Sequence, residues 1–328
     1  MKQNTFGRTG RTVSEIGFGA WAIGGAWGDV SKDDAKAALH AALDSGVTFL
    51  DTADVYGDGR SEQLIAEVLK ERGGDKPYVA TKLGRRLSPH VAEGFTKQNL
   101  TAFVDRSLAN LQTDCLDLVQ LHCPPPAVYY QQEVFGHMDD LMKAGKIRHY
   151  GVSVEKVEEA LKAIEYPNVQ SIQIIYNIFR QRPASLFFAE AKKRQVGVIA
   201  RVPLSSGLLT GKMNASTAFA ADDHRAFNRN GEAFDKGETF SGVPYDVALE
   251  VVEEIRKLVP ANATMAEFAL RWILMEDAVS TVIPGARNAA QAQANSRASA
   301  LPALPAETMD ALRELYRNRI AQYVHHSW

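Results

Sequence analysis

The run Phe49-Leu-Asp51-Thr-Ala-Asp-Val-Tyr56-Gly57 decides how the chain is read. A short apolar segment ends abruptly in a carboxylate, and a phenol follows one loop later. Beyond it, Ser61 opens a stretch to Arg72 with Leu64, Ile65, Val68 and Leu69 on one helical face. The local reading is strand, loop, helix, with Ser61 as the helix cap. Polar groups delivered at the C-terminal end of a buried strand point to chemistry. On this stretch alone, a solvated Asp-rich turn explains the pattern equally well.

Working outward, the same unit recurs. Strands are expected at 16–19, 47–50, 78–81, 116–121, 147–152, 171–175, 196–200 and 280–283. Between them, helices are expected after the Ser31 cap, over 61–72, along the Leu100, Phe103, Val104, Leu108, Leu111 stripe, and over 131–143, 155–164, 184–194 and 289–297. Eight short strands alternating with helices suit a closed parallel barrel better than an open doubly wound sheet. The expected fold is α/β: a single (β/α)8 TIM barrel forming one domain over 1–328. It has an N-terminal hairpin around Gly7 to Gly10, a long polar Gly-rich loop at 208–242 after the seventh strand, and a C-terminal tail or helix from 302.

Composition narrows the partners. Of the 328 residues 45% are hydrophobic and 23% charged, ordinary globular values, and the formal net charge of −2 gives no field to gather nucleic acid or an anionic membrane. Small molecules are the expected partners. Cys115 and Cys123 flank one strand whose extended span holds them too far apart to bridge, so they read as free thiols of a reducing compartment. The polar start and the lack of a long apolar run lead to the expectation of a cytoplasmic protein.

Two later strand ends also deliver reactive groups, Lys82 in Val79-Ala-Thr-Lys82 and His122 in Leu118-Val-Gln-Leu-His122. A phenol loses its proton near pH 10 in water, so a catalytic Tyr56 needs help at neutral pH. Lys82 is expected to lower that value, Asp51 to hold Lys82 charged and oriented, and His122 to hydrogen-bond a carbonyl oxygen. Gly17-Phe-Gly19-Ala-Trp-Ala22 has the letters of a dinucleotide fingerprint, but Ile23-Gly24-Gly25 follows where a helix should open. It reads instead as a Gly-rich loop at the barrel mouth. Trp21 and Trp27 on that loop are candidates for the pocket wall, Trp21 toward a cofactor and Trp27 toward a substrate. Ile283-Pro284-Gly285-Ala-Arg287 pairs a Gly turn and an arginine with a helix N-terminus, which makes a phosphate cradle. No His, Cys and Asp spacing predicts a metal site.

On the motifs Asp51-Thr-Ala-x-x-Tyr56-Gly57, Ala80-Thr-Lys82 and Leu121-His122-x-Pro124, the chain resembles the aldo-keto reductases along its whole length. The resemblance is to the branch of bacterial sugar and glycerol dehydrogenases and potassium-channel β subunits. It implies a barrel that binds NADP(H) across its mouth and passes a hydride between nicotinamide and a carbonyl carbon. Tyr56 would be the proton donor, His122 would orient the substrate oxygen, and Lys82 with Asp51 would tune the phenol. Ser153 and Gln173 would meet the carboxamide, although Val154 stands where Asn is usual. Pro203, Leu204, Ser206, Gly207 and Lys212 would clasp the pyrophosphate. Arg201 replaces the aromatic residue that stacks on nicotinamide; its planar guanidinium would stack in turn or face an anionic substrate. Gly285, Arg287, Gln291 and Asn295 would hold the adenosine phosphate, with Arg287 on the 2′-phosphate and Arg225 of the long loop as a further reach to it. Trp328 in the tail would border the substrate, or the tail would fray.

The expected activity is an NADPH-dependent reductase of aldehydes or ketones, or a dehydrogenase of the matching alcohols or sugars. The alternatives are an NAD-linked aldose dehydrogenase, in which NADH replaces NADPH, and an NADPH-sensing binding module with little turnover. An aldolase or isomerase with Lys82 as Schiff-base nucleophile explains neither Tyr56 nor the phosphate cradle.

Overall fold

The computed structural model describes residues 1–25 and 30–328. Trp27, a candidate substrate contact, lies outside the described residues. An antiparallel hairpin of β1 (Gln3–Thr5) and β2 (Thr12–Ser14) comes first. Eight parallel strands follow: β3 (Phe18–Gly19), β4 (Phe49–Asp51), β5 (Tyr78–Leu83), β6 (Leu116–His122), β7 (Ile147–Ser153), β8 (Val169–Ile175), β9 (Gly197–Arg201) and β10 (Thr281–Val282). Each pairs with its sequence neighbour, and parallel bridges Ile16 to Val282 and Gly19 to Gly285 join the last strand to the first. The result is the expected (β/α)8 barrel with its hairpin.

The strands form where apolar runs are buried on both faces, as parallel sheets covered by helices require. The hairpin plugs the N-terminal end. Phe6 packs against Phe49 and Tyr78 with ring centroids 5.5 and 5.8 Å apart, within a cluster completed by Val13, Ala80, Leu118, Ile199 and Ile283. That leaves the C-terminal ends of the strands as the open face, where β/α barrels carry their sites.

Most expected boundaries hold to within a few residues, and four expectations are corrected. Ser61 is not the helix cap: helix Arg60–Arg72 is preceded by Gly59 in the left-handed region. The Ser61 hydroxyl instead donates to the Ala20 carbonyl and accepts from Thr52, tying loop to helix. The segment expected as helix over 155–164 is helical only at Val157–Ala163, because Glu155 is drawn into the barrel mouth. The Gly-rich first loop does open one helical turn, Trp21–Gly24, closed by Gly25 at φ 112°. Two helices not anticipated between the long loop and β10, Tyr245–Arg256 and Met265–Ile273, supply the covering of that part of the barrel.

The long loop folds across the mouth and is tied down by the C-terminus. Trp328 is only 9% exposed, so the tail does not fray. Its indole N–H donates to Asp235 at 2.8 Å, and the Arg180 guanidinium lies 4.4 Å from the ring. Gly237 and Gly242 make room for it, since a Cβ on either would come within 2.9 or 2.7 Å of the indole. Replacing Trp328 by Ala is expected to speed proteolytic cutting within 208–242; an unchanged cutting rate would show that the indole does not hold the loop.

Closure also rests on a glycine. A Cβ on Gly19 would sit 2.7 Å from the Ile283 carbonyl oxygen, across the seam between first and last strands. The seam must widen to admit a methyl group, at a cost of about 1–3 kcal/mol. Gly19→Ala should therefore lower the melting temperature by several degrees, and a variant as stable as the parent would contradict this packing.

Candidate active site

Four side chains meet at the C-terminal face because their strands end there in register. Asp51 is the last residue of β4, Lys82 is the penultimate residue of β5, and His122 ends β6. Tyr56 comes from the loop after β4. Its backbone is seated on the first loop, since a Cβ on Gly24 would lie 2.8 Å from the Tyr56 Cβ and one on Gly57 would lie 2.1 Å from the Gly24 carbonyl. Two glycines thus let two loops touch where larger residues would hold them apart.

Lys82 is 1% exposed, and its ammonium donates to Asp51 Oδ2 at 2.6 Å, to the Thr52 carbonyl at 2.9 Å and to the Tyr56 phenol at 3.2 Å. Asp51 Oδ1 accepts from Gln173 at 2.7 Å and more distantly from Gln120 at 3.4 Å. Burial pulls Lys82 down, but Asp51 and Tyr56 outweigh it and leave the ammonium's pKa raised. A lysine held charged in this way is a poor Schiff-base nucleophile. His122 lies edge-on to Tyr56 with centroids 6.0 Å apart. Burial, then Arg85, Lys82 and Arg201, depress His122 well below the usual imidazole range, so it is neutral.

One expectation is corrected here. Lys82 does pull the Tyr56 phenol down, but burial pushes it up more strongly, with Asp51 adding to the rise, and the net direction is upward. The desolvation of a phenolate against Trp21 and the loop above it exceeds the attraction of one ammonium already paired with Asp51. Tyr56 therefore keeps its proton at neutral pH. Trp21 stacks beside Tyr56 at 6.1 Å, and His224 and Phe234 of the long loop pack against the same indole at 4.8 and 6.1 Å.

The other expected site residues fall around the same face. His122, Ser153 and Gln173 are neighbours in register across β6, β7 and β8. Since Gln173 Nε2 is engaged by Asp51, a carboxamide would meet its carbonyl oxygen. Arg201, at the end of β9, is tied by its Nη atoms to the Val154 carbonyl at 3.0 Å, to Glu155 at 2.8 Å and to Glu238 at 3.4 Å. Sequence reasoning missed this ionic group, which also includes Arg85, 2.6 Å from Glu238 and 3.0 Å from Glu155. Its signal was a charged residue just beyond two strand ends, Arg85 after β5 and Glu155 after β7.

After β9 the backbone is strained. Val202, Ser205 and Ser206 have φ of 52°, 48° and 54°, and Gly207 has φ 96°. Left-handed non-glycine residues, a β-branched one among them, persist only where surrounding structure holds them, and such runs form anion-binding concavities. Pro203 is buried, Leu204 half-buried and Lys212 exposed along this loop. Ser206 is occupied within the protein: its hydroxyl donates to the Glu238 carbonyl and accepts from the Phe240 N–H. Arg225 pairs with Asp223 and rests on the Phe219 ring 4.6 Å away.

Across the seam, Asn288 caps helix Ala289–Arg297 by accepting from Gln291 N, and the exposed Arg287 stands at that N-terminus. Gln291 accepts from the Arg287 N–H, and Asn295 donates to the Gly285 carbonyl. A cationic side chain at a helix N-terminus fits a phosphate, and with the strained loop after β9 it makes a donor set suited to a phosphorylated dinucleotide. Cys115 and Cys123 are both free thiols. No described helix is long and apolar enough to cross a membrane.

Comparison with known proteins identifies the family. The chain is 32% identical over 305 residues to aldo-keto reductase YhdN of Bacillus subtilis, covering 90% of this chain and 88% of that one. It is 28% identical over 285 residues to aldo-keto reductase yakc [NADP(+)] of Schizosaccharomyces pombe, covering 84% and 81%. The structure of the glycerol dehydrogenase AKR11B4 from Gluconobacter oxydans superposes with a TM-score of 0.78 at 29% identity, covering 98% of this chain and 96% of that one. The profile of the Aldo/keto reductase family matches residues 15–317, and the chain belongs to that family of oxidoreductases.

Proposed function

We propose that the protein is an NADPH-dependent reductase of aldehydes or ketones that runs in reverse on the matching alcohols or sugars. The observation that carries this reading is the buried chain of contacts from Asp51 through Lys82 to Tyr56, with Lys82 donating to the phenol at 3.2 Å and a neutral His122 beside it. When bound, the reduced nicotinamide supplies a hydride to the carbonyl carbon. As negative charge grows on the carbonyl oxygen, Tyr56 gives up its phenolic proton to it. Lys82 stabilises the phenolate left behind, and Asp51 holds Lys82 in place. His122 donates a hydrogen bond to the same oxygen, which its neutral imidazole can do without competing as an acid. The raised phenol holds its proton until charge develops on the carbonyl oxygen.

For the cofactor, Ser153 and the carbonyl of Gln173 would hold the carboxamide, with Trp21 and Arg201 beside the ring. Pro203, Leu204, Ser206, Gly207 and Lys212 would surround the pyrophosphate. Gly285, Arg287, Gln291 and Asn295 would take the adenosine end. The exposed guanidinium of Arg287 favours NADP(H) over NAD(H), and the NADP(+) in the name of the yeast relative is in keeping with this.

Removing the phenolic oxygen tests the acid. Tyr56→Phe should lose turnover by about 10²-fold or more while still binding NADPH, as followed by quenching of protein fluorescence. A variant that turns over at the parent rate would eliminate Tyr56 as the proton donor. Cofactor choice rests on Arg287. Arg287→Ala should weaken NADPH by about tenfold to a hundredfold and leave NADH nearly unaffected; equal losses for both would remove its phosphate role.

A further inference from the structure

One buried carboxyl beside the reacting groups is used by neither the proton transfer nor the loop contacts. Asp54 lies between Asp51 and Tyr56 in the loop after β4 and is 0% exposed. Neither of its carboxyl oxygens has a hydrogen-bond partner among the described residues. The nearby donors are committed elsewhere. Lys82 gives its protons to Asp51, the Thr52 carbonyl and Tyr56. Arg86 and Arg106 both pair with Asp58, Arg106 at 2.7 Å. Thr81 and Asn110 donate to the equally buried Glu62 at 2.6 and 2.8 Å.

A carboxylate shielded from solvent and without a donor is strongly disfavoured, so Asp54 holds its proton. Burial, and after it Glu62 of helix Arg60–Arg72, pushes this group up to about 7. Arg86 beyond β5, Arg106 of helix Lys97–Leu111 and the Val55 N–H pull the other way and do not offset the rise. The backbone around Asp54 is what seats the acid. Asp54 N donates to the Lys82 carbonyl at 3.2 Å, Tyr56 N donates to the Ala53 carbonyl at 3.1 Å, and the Tyr56 carbonyl accepts from Ser61 N at 3.2 Å. Charge on Asp54 is relieved by turning the carboxyl toward solvent or toward Arg86 and Arg106, and that movement pulls on these bonds.

Resting on the carbonyl reductase reading, we propose that Asp54 is a positioning residue: its neutral carboxyl keeps Tyr56 seated against Lys82, and loss of its proton unseats the phenol. The competing account is that Asp54 only fills space beneath the turn. Asp54→Asn separates the two, because the amide keeps the shape of the neutral acid and has no proton to lose. The reacting groups themselves do not confuse the reading. Tyr56 is raised and His122 depressed, so neither titrates near 7. Glu155, also pushed up by burial, is present in both proteins and does not account for a difference between them.

The test compares the parent and Asp54→Asn as full chains. With NADPH and butanal, kcat/KM of the parent should fall about tenfold between about pH 6 and about pH 8, as the neutral fraction of one group titrating midway does, while Asp54→Asn keeps most of its activity. Identical pH profiles would overturn the proposal. Stability carries a matching sign. The unfolded chain loses this proton near 3.8 and the folded chain only near 7, so the parent loses stability as pH rises through that window. The melting temperature of Asp54→Asn, measured against the parent, should therefore climb by about 4–8 °C between about pH 5 and about pH 8. A difference that does not change with pH would favour space filling and defeat the proposal. If the variant fails to fold, aspartate-selective carboxyl NMR of the parent decides: one aspartate should titrate at about 7, and titration of every aspartate below about pH 5 would refute the assignment. No turnover at any pH would remove the reductase reading, while the melting curves would still show whether the Asp54 proton holds the turn.

Discussion

The ammonium of Lys82, 1% exposed and 2.6 Å from Asp51, is the contact on which the site depends. An ammonium buried this deeply without its partner is strongly destabilising, by about 3–5 kcal/mol when one member of such a pair is removed. The pair persists because the rest of the structure satisfies it. Gln173 and Gln120 donate to the far oxygen of Asp51, and the Thr52 carbonyl and the Tyr56 phenol take the remaining protons of Lys82. Those partners come from β6, β8 and the loop after β4. Closing the barrel and assembling the site are thus one event: the register that pairs Lys82 with Gln120 also brings the carboxylate, the ammonium and the phenol together.

The same arrangement explains why the phenol is raised rather than lowered. Lys82 is shared between Asp51 and Tyr56, so its pull on the phenol is diluted, while burial beside Trp21 pushes the phenol up. A raised phenol with an ammonium at hydrogen-bonding distance is suited to giving a proton when an alkoxide forms nearby. It has little tendency to ionise on its own.

The barrel and the Asp51, Tyr56, Lys82 and His122 group were legible because both are written locally. Strands buried on both faces read as apolar runs, and each polar group falls at the residue where its run stops. Ser61 misled because its hydroxyl has two long-range partners, the Ala20 carbonyl and Thr52, which no local cap rule contains. The Arg85, Glu155, Arg201 and Glu238 cluster was invisible for a related reason. Its members lie far apart in sequence, and Glu238 comes from a loop whose path is fixed by the indole of Trp328 on Gly237 and Gly242. The helices Tyr245–Arg256 and Met265–Ile273 escaped notice for another reason: the long polar loop 208–242 separates them from β9.

The proposed function is carbonyl reduction at this mouth, in contrast to a module that merely holds a nicotinamide cofactor to report redox state. Single-turnover mixing of the NADPH-loaded protein with a small aldehyde, followed by the disappearance of reduced-nicotinamide absorbance and by recovery of the alcohol, tests it most directly. The account predicts one equivalent of alcohol for each NADPH consumed, with the hydride of deuterium-labelled NADPH found on the former carbonyl carbon. Tight NADPH binding with no alcohol formed from any aldehyde offered would contradict it and leave a cofactor-sensing module as the better description.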